Sequence, residues 1–109
     1  MSAQVAAAVD EFRREAHEDY VGLWEIVRHW QDAGSASLDE RRDLTLETVR
    51  RLLEGGVVAG KFEEGQWRFW PEQGPVALAR IETEWTALGH EPDVGEIVWF
   101  VLGAAEGSL

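Results

Sequence analysis

Three ionisable side chains share one face of a predicted helix. Glu25, His29 and Asp32 lie at positions i, i+4 and i+7 of an amphipathic stretch. A histidine flanked by carboxylates can act as a general base or supply part of a metal site. A first-row metal would need further ligands, and the spacing of His17 and His90 does not indicate that the fold gathers them. The pattern therefore favours an exposed, ion-paired helix face.

A second group of ionisable residues precedes the C-terminal apolar run. His90-Glu91-Pro92-Asp93 and Glu96 gather one histidine and three carboxylates, but they lack the alternating ligand spacing of an EF-hand loop. The chain has no cysteine, and it contains no glycine-rich phosphate loop, nucleophile elbow or HExxH pair. We therefore interpret this segment as a solvated turn. We predict that the protein is not an enzyme and has no catalytic residue, cofactor or metal.

Charge is the most informative part of the composition. The 109 residues include 21 acidic and 10 basic side chains, which gives a formal net charge of −11. The end segments 1–36 and 76–109 carry −4 and −5, whereas 38–54 and 55–75 carry −1 each. An acidic surface repels phosphate backbones and anionic lipid headgroups. The charge therefore disfavours nucleic acid as a partner and favours a basic protein.

The N-terminal stretch does not have the pattern of a signal peptide. It lacks a basic region and reaches Asp10-Glu11 before a long apolar run forms. No apolar stretch approaches the roughly 20 residues that span a bilayer. We therefore expect a cytoplasmic protein without a membrane partner.

Apolar residues recur at helical spacing in the first half of the chain. They predict a helical N-terminal arm over 3–17 and then a second helix. The apolar face of that second helix consists of Tyr20, Leu23, Trp24, Val27 and Trp30. Ser37-Leu38-Asp39-Glu40 fits a capping box, after which one helix runs to Leu53 or breaks so that Thr45 caps a new one. Gly55-Gly56 ends the helix in either case.

After these glycines the apolar period changes from helical to alternating. The predicted elements are a strand over 57–62, a loop over 63–66, a returning strand over 67–70, a helix over 75–88, a strand over 96–102 and a frayed tail over 103–109. This pattern predicts an α+β fold with three to four amphipathic helices. The hairpin and the C-terminal strand would form a small antiparallel sheet.

The absence of repeats and of a low-complexity linker favours a single domain over 1–109. We divide it into the arm 3–17, a helix-hairpin core 19–71, a C-terminal helix and strand 75–102, and the tail.

The stretch from Thr45 to Val58, followed by a hairpin, is similar to the last core helix and the wing of winged helix-turn-helix domains. The resemblance covers residues 20–70 and lies only at the level of the sequence pattern. It implies that the helix over 45–53 enters a major groove of DNA. The DNA-contact candidates under this hypothesis are Arg41, Arg42, Arg50 and Arg51. Against it, the wing loop carries Glu63 and Glu64, where a DNA-binding wing carries basic residues.

Three phrases resemble an uncharacterised family of small acidic bacterial proteins. They are Glu18-Asp19-Tyr20-Val21-Gly22-Leu23-Trp24-Glu25-Ile26, Arg80-Ile81-Glu82-Thr83-Glu84-Trp85-Thr86-Ala87-Leu88-Gly89 and Gly95-Glu96-Ile97-Val98-Trp99-Phe100. This resemblance covers nearly the whole chain. It implies no activity and no functional residue.

Six tryptophans are more than a chain of this length ordinarily carries. Trp24, Trp85 and Trp99 lie in apolar stripes or runs, and we interpret them as core residues. Trp30 ends its stripe, which predicts a half-exposed side chain. Trp67 and Trp70 point to opposite faces of the hairpin because they lie three apart on a strand. The candidate residues for binding a protein are Trp30, Trp67, Trp70, Glu63 and Glu64.

The leading hypothesis is a non-enzymatic, acidic protein-interaction module that binds another, basic protein. Exposed tryptophans would supply affinity and acidic residues would steer the encounter. In size and charge the chain is similar to immunity proteins that neutralise basic nuclease toxins. The alternative is a winged-helix transcription regulator. A homodimer is also possible, formed through the free edge of the hairpin or the strand 97–102.

Overall fold

The computed structural model describes residues 2–34 and 37–102. In these ranges the chain forms helices and a small antiparallel sheet, which is the predicted α+β class. The elements in chain order are α1 (Ser2–Glu18), β1 (Val21–Gly22), α2 (Leu23–Asp32), α3 (Leu38–Glu54), β2 (Val57–Glu63), β3 (Gln66–Phe69), α4 (Gly74–Leu88) and β4 (Trp99–Leu102). The tail predicted over 103–109 lies outside the described residues.

Helix α3 packs against α1, α2 and α4 and is the central helix of the fold. The hydroxyl oxygen of Ser37 accepts a hydrogen bond from the N–H of Glu40 at 3.0 Å, so the predicted N-cap is confirmed. The helix runs unbroken to Glu54, and a new helix capped by Thr45 is therefore wrong. Thr45 and Thr48 are fully buried between the helices instead.

Strand β1 precedes α2, where the apolar stripe predicts a helix that already includes Tyr20. Val21 pairs with Phe100, and Gly22 pairs with Trp99. The carboxylate of Glu25 accepts a hydrogen bond from the N–H of Gly22 at 2.9 Å, which fixes the start of the helix at the next residue. Pairing with a distant strand thus overrides the local helical period.

Strand β4 is shorter than the apolar run that predicts it. Ile97 has a φ of +68°, a region that β-branched residues seldom adopt, and the N–H of Val98 bonds to the carbonyl of Glu96 at 2.9 Å. This γ-turn interrupts the extended backbone. The strand therefore begins at Trp99 and not at Glu96.

The hairpin of β2 and β3 turns at Glu64 and Gly65, whose φ values are +52° and +79°. Two left-handed residues make the two-residue turn that suits the twist of a hairpin. At the open end, the side-chain amide of Gln73 accepts from the N–H of Ala59 and donates to its carbonyl, both at 2.8 Å. Gln73 therefore ties the start of α4 to the sheet.

The strands lie in the order β1-β4-β2-β3, and every neighbouring pair is antiparallel. One face of the sheet joins the helices in the core, to which it contributes Val57, Ala59 and Phe100. Side chains alternate between the two faces along a strand. Phe62 and Trp99 consequently point away from the helices, on the outer face of the sheet.

Candidate functional site

Aromatic side chains cover the outer face of the sheet. We call this surface the aromatic face and define it by Tyr20, Phe62, Trp67, Phe69 and Trp99. Tyr20 lies 4.7 Å from Trp67 and 4.9 Å from Phe62 between ring centroids, and Phe62 lies 5.7 Å from Trp99. The rings meet mostly edge to face, as favourable aromatic pairs do. Phe62 and Phe69 remain 38% and 50% exposed.

Strand register brings these rings together. Phe62 is directly opposite Trp67, and Gly60 is opposite both Phe69 and Trp99. A Cβ atom at Gly60 would lie 2.5 Å from the Trp67 indole, which identifies glycine as the residue that makes room for this ring. Gly60 therefore leaves a position without a side chain on the outer face, with Trp67 packed over it and Phe69 and Trp99 directly opposite.

Two buried indole N–H groups have no hydrogen-bond partner among the described residues. They belong to Trp67 and to Trp24, whose ring lies against Gly22. A buried donor left unpaired costs free energy.

A cavity of about 410 Å³ opens beside the aromatic face, and we call it the acidic groove. Its wall residues are Glu15, Glu18, Asp19, Tyr20, Glu25, Phe62 and Trp99. Three of these residues are aromatic, and the other four carry carboxylates. Asp19 and Glu25 each accept a backbone N–H, from Tyr20 at 2.7 Å and from Gly22. In the part of the chain that the structure describes, none of the four carboxylates forms an ion pair.

The electrostatics of the groove favour a cation. Partial desolvation and the nearby carboxylates of Glu25 and Glu11 raise the pKa of Glu15, and together they outweigh the opposite effects of Arg14 and His29. The C-terminal end of α1 adds the partial negative charge of its unpaired carbonyls. Helix C-termini normally attract basic side chains, whereas the last turn of this one carries Glu15 and Glu18 beside its one basic residue, His17.

The predicted protein-binding residues lie partly on the surface and partly in the core. Trp67 lies on the aromatic face, and Glu63 and Glu64 are exposed at the adjoining hairpin turn. Trp30 is only 3% exposed, so its predicted half-exposure is wrong. Its indole N–H donates to the buried hydroxyl of Thr48 at 3.1 Å, which provides the polar partner that burial of a tryptophan requires.

Trp70 points to the opposite face of the hairpin from Trp67, as its spacing predicts, but that face is covered. Trp70 is 6% exposed and lies under the guanidinium of Arg80, whose Cζ is 3.7 Å from the ring centroid. Trp70 therefore contributes to the core and not to a binding surface.

The three tryptophans interpreted as core residues divide in a different way. Trp85 is buried in the core, with Arg42 placed over its ring. Trp24 and Trp99 are only partly buried and lie outside the core cluster. Their assignment to the core is wrong. Trp99 falls on the outer face of the sheet because the apolar run alternates between two faces. Trp24 lies against Gly22 of the edge strand β1.

The four DNA-contact candidates form contacts within the chain. Arg41 pairs with Glu91, and the Nη2 atom of Arg42 donates to the Thr86 hydroxyl at 2.9 Å. Arg50 and Arg51 both pair with Glu47, and Arg50 also pairs with Glu54. Two hydrogen bonds from Arg50, and then one from Arg51, lower the pKa of Glu47 to about 2.

The ionisable groups singled out by spacing do not assemble into a metal site. His29 packs edge-on against Phe12 and Trp30, while Glu25 caps α2. His90 contacts the carbonyl of Glu91 at 2.8 Å through Nδ1. Over residues 2–34 and 37–102, no group of three or more histidine and carboxylate side chains is arranged to hold a metal ion.

Sequence reasoning missed most of the acidic groove and of the aromatic face. The alternation of Trp67 and Phe69 was a usable signal, because residues two apart share a face. Tyr20 and Phe62 gave no such signal. Their meeting depends on β1 and on the position of β4 between β1 and β2.

Comparison with known proteins provides no relative to guide the assignment. The chain matches no protein-family model, no curated protein and no solved structure. Among the described residues, no helix has the length and apolar character needed to cross a membrane.

Proposed function

We propose that this protein is a non-enzymatic interaction module that binds a basic segment of another protein. The observation that carries the proposal is the aromatic face with the acidic groove beside it. Phe62 and Phe69 leave apolar ring surface in contact with water. Exposed aromatic clusters of this kind are typical of binding surfaces.

The two parts have different physical roles in this proposal. Aromatic rings provide most of the affinity at protein interfaces, because they bury large areas with few rotatable bonds. Carboxylates around them raise the rate of encounter with a basic partner and select against acidic ones. The net charge of −11 extends this selection over the whole molecule.

An immunity or antitoxin role in the bacterial cytoplasm is the specific form of this proposal that agrees with size and charge. A protein of this kind neutralises a basic toxin by covering it. The resemblance to small acidic bacterial proteins is consistent with such a role and adds no residue to it.

The contacts of the four arginines favour protein binding over the winged-helix alternative. A DNA-binding role requires Arg50 and Arg51 to exchange Glu47 for phosphate, and the carboxylate would then face the DNA backbone. The double variant Arg50→Ala/Arg51→Ala tests this alternative in an electrophoretic mobility assay with duplex DNA. Wild-type retardation that the double variant abolishes would support DNA binding and contradict our proposal.

The proposal is tested by placing a photo-crosslinking phenylalanine analogue at position 69 in the native host. A matched probe at position 76 is the control, because Val76 is similarly exposed, at 60%, but lies on α4. We expect a basic protein to be crosslinked at position 69 and not at position 76. Identical adducts at both positions, or an adduct only with a second copy of this chain, would contradict it.

The crosslinked protein must then bind in purified form. Phe69→Ser is expected to weaken that binding about tenfold or more, the loss typical of an interface hot spot. Val76→Ser should leave it unchanged. Equal effects of the two substitutions, measured by calorimetry, would also contradict the proposal.

A further inference from the structure

We propose that the acidic groove is the binding site for an arginine side chain of the partner. This inference rests on the proposed function for its source of arginine, a basic protein segment. The chain already contains one arrangement in which aromatic and acidic side chains hold an arginine.

Arg80 shows how this protein accommodates an arginine. Its guanidinium lies over the Trp70 ring with Cζ 3.7 Å from the centroid. Its Nη1 and Nε atoms each lie 2.7 Å from a carboxylate oxygen, of Glu72 and Glu84 respectively. One aromatic ring below and two carboxylates at the rim thus hold the planar cation.

The acidic groove presents the same parts. Trp99, Phe62 and Tyr20 supply aromatic walls, and Glu15 and Glu18 supply carboxylates from the last turn of α1. Among the described residues, no arginine or lysine lines it. The cavity of about 410 Å³ has room for a guanidinium group and the methylenes that lead to it.

Arginine suits this groove better than lysine does. A guanidinium is planar, so it stacks on an aromatic ring while its edge donates to carboxylates. An ammonium is a compact, strongly hydrated charge that does not stack. The chain places arginine over tryptophan twice more, at Arg28 over Trp24 and at Arg42 over Trp85.

The test uses the full chain and a probe that needs no identified partner. Protein labelled with the isotope ¹⁵N is titrated with N-acetylarginine amide, and the shift of the Trp99 indole N–H signal is followed by NMR. N-acetylcitrulline amide is the matched control ligand, because it keeps the shape and removes the charge. N-acetyllysine amide is the second control.

We expect saturable binding of the arginine derivative at Trp99, with no saturation by the citrulline derivative and weaker binding of the lysine derivative. Glu15→Gln/Glu18→Gln should weaken binding about fivefold, the effect of removing two partly screened charges. Asp43→Asn/Glu82→Gln removes the same charge from exposed residues on α3 and α4 and should leave binding unchanged.

Three results would overturn the inference: equal binding of arginine and citrulline derivatives, lysine binding as tight as arginine, or equal losses in the two double variants. These failures are distinguishable from failure of the proposed function. A partner crosslinked at position 69 while the groove ignores arginine would remove this inference alone. Arginine binding without any crosslinked basic partner would remove the proposed function alone.

Discussion

Two regions of this molecule combine tryptophan with carboxylates, and over residues 2–34 and 37–102 only one of them contains its own cation. At α4, Arg80 lies between Trp70 and the carboxylates of Glu72 and Glu84. At the acidic groove, aromatic walls and carboxylates meet without a basic side chain among the described residues.

The pKa values of carboxyl groups in the two regions shift in opposite directions. Hydrogen bonding from Arg80 lowers the pKa of Glu72, whereas desolvation and neighbouring carboxylates raise the pKa of Glu15. A carboxylate that is stabilised within the chain contributes to folding. One that is destabilised there is available to a ligand, and perturbed groups of this kind concentrate at functional sites.

The largest expected effect separates the two tryptophans at the centre of the comparison. Trp70→Ala should destabilise the fold by about 3–5 kcal/mol, because it removes a buried indole and leaves a cavity. Trp99→Ala should cost less, since Trp99 is only partly buried. Urea unfolding followed by circular dichroism measures both. An equal loss at the two positions would show that the aromatic face is as much a structural core as the site of Trp70.

The next effect concerns the packing of the aromatic face itself. Gly60→Ala should destabilise the protein by about 1–3 kcal/mol, the range for overpacking. The added Cβ would lie 2.5 Å from the Trp67 ring and 2.6 Å from the carbonyl oxygen of Arg68. The same substitution in a Trp67→Ala background should cost less, because only the carbonyl overlap remains. Thermal unfolding of the four proteins in this cycle measures the difference.

A smaller effect tests the intramolecular arginine site. Arg80→Gln should destabilise the protein by about 1 kcal/mol, since its ion pairs are partly exposed and screened. Arg80→Lys keeps the charge and loses the planar stack, so it should fall between the wild type and Arg80→Gln. Urea unfolding at low and high salt measures both. If Arg80→Gln is neutral, Arg80 is no longer a model for an arginine in the groove.

The smallest effects are expected in the pH dependence of stability, and they have opposite signs. Glu15→Gln should stabilise the protein at neutral pH. The raised pKa of Glu15 means that the folded state binds protons more tightly than the unfolded state, whose pKa is 4.5. The penalty of the charged form is therefore present at neutral pH and disappears as the pH falls below that value.

Glu47→Gln should destabilise the protein at neutral pH. Because the pKa of Glu47 falls from 4.5 to about 2 on folding, its charged form stabilises the native state above 4.5, and that stability is lost as the pH falls towards 2. Thermal unfolding of both variants across this range measures the signs. A destabilised Glu15→Gln at neutral pH would contradict the conclusion that desolvation and neighbouring carboxylates disfavour the charged form of Glu15.

Local chemistry explains which features of the fold were predictable. Ser37 and Gly55 mark the two ends of α3, and their capping contacts involve only near neighbours in sequence. The hairpin follows from alternation and from a turn that tolerates positive φ at Gly65. Strand β1 was not predictable in this way, because two residues carry no period and their pairing partner lies near the other end of the chain.

The candidate site was less predictable than the fold. Trp67 was identified because its alternation with Trp70 divides the hairpin into two faces. Which face is covered was not readable, since that depends on α4 packing Arg80 over Trp70. Trp30 shows the same dependence, because its burial requires the hydroxyl of Thr48 on α3.

The amino-acid sequence by itself determined the helices, the hairpin and the acidic charge, because period, capping and composition act over short distances. Only the tertiary structure decided which tryptophans are exposed to water and which carboxylates form ion pairs with arginine. The physical reason is that both depend on strand order: β4 lies between β1 and β2 and so brings Tyr20 beside Phe62. The acidic groove exists because of that order.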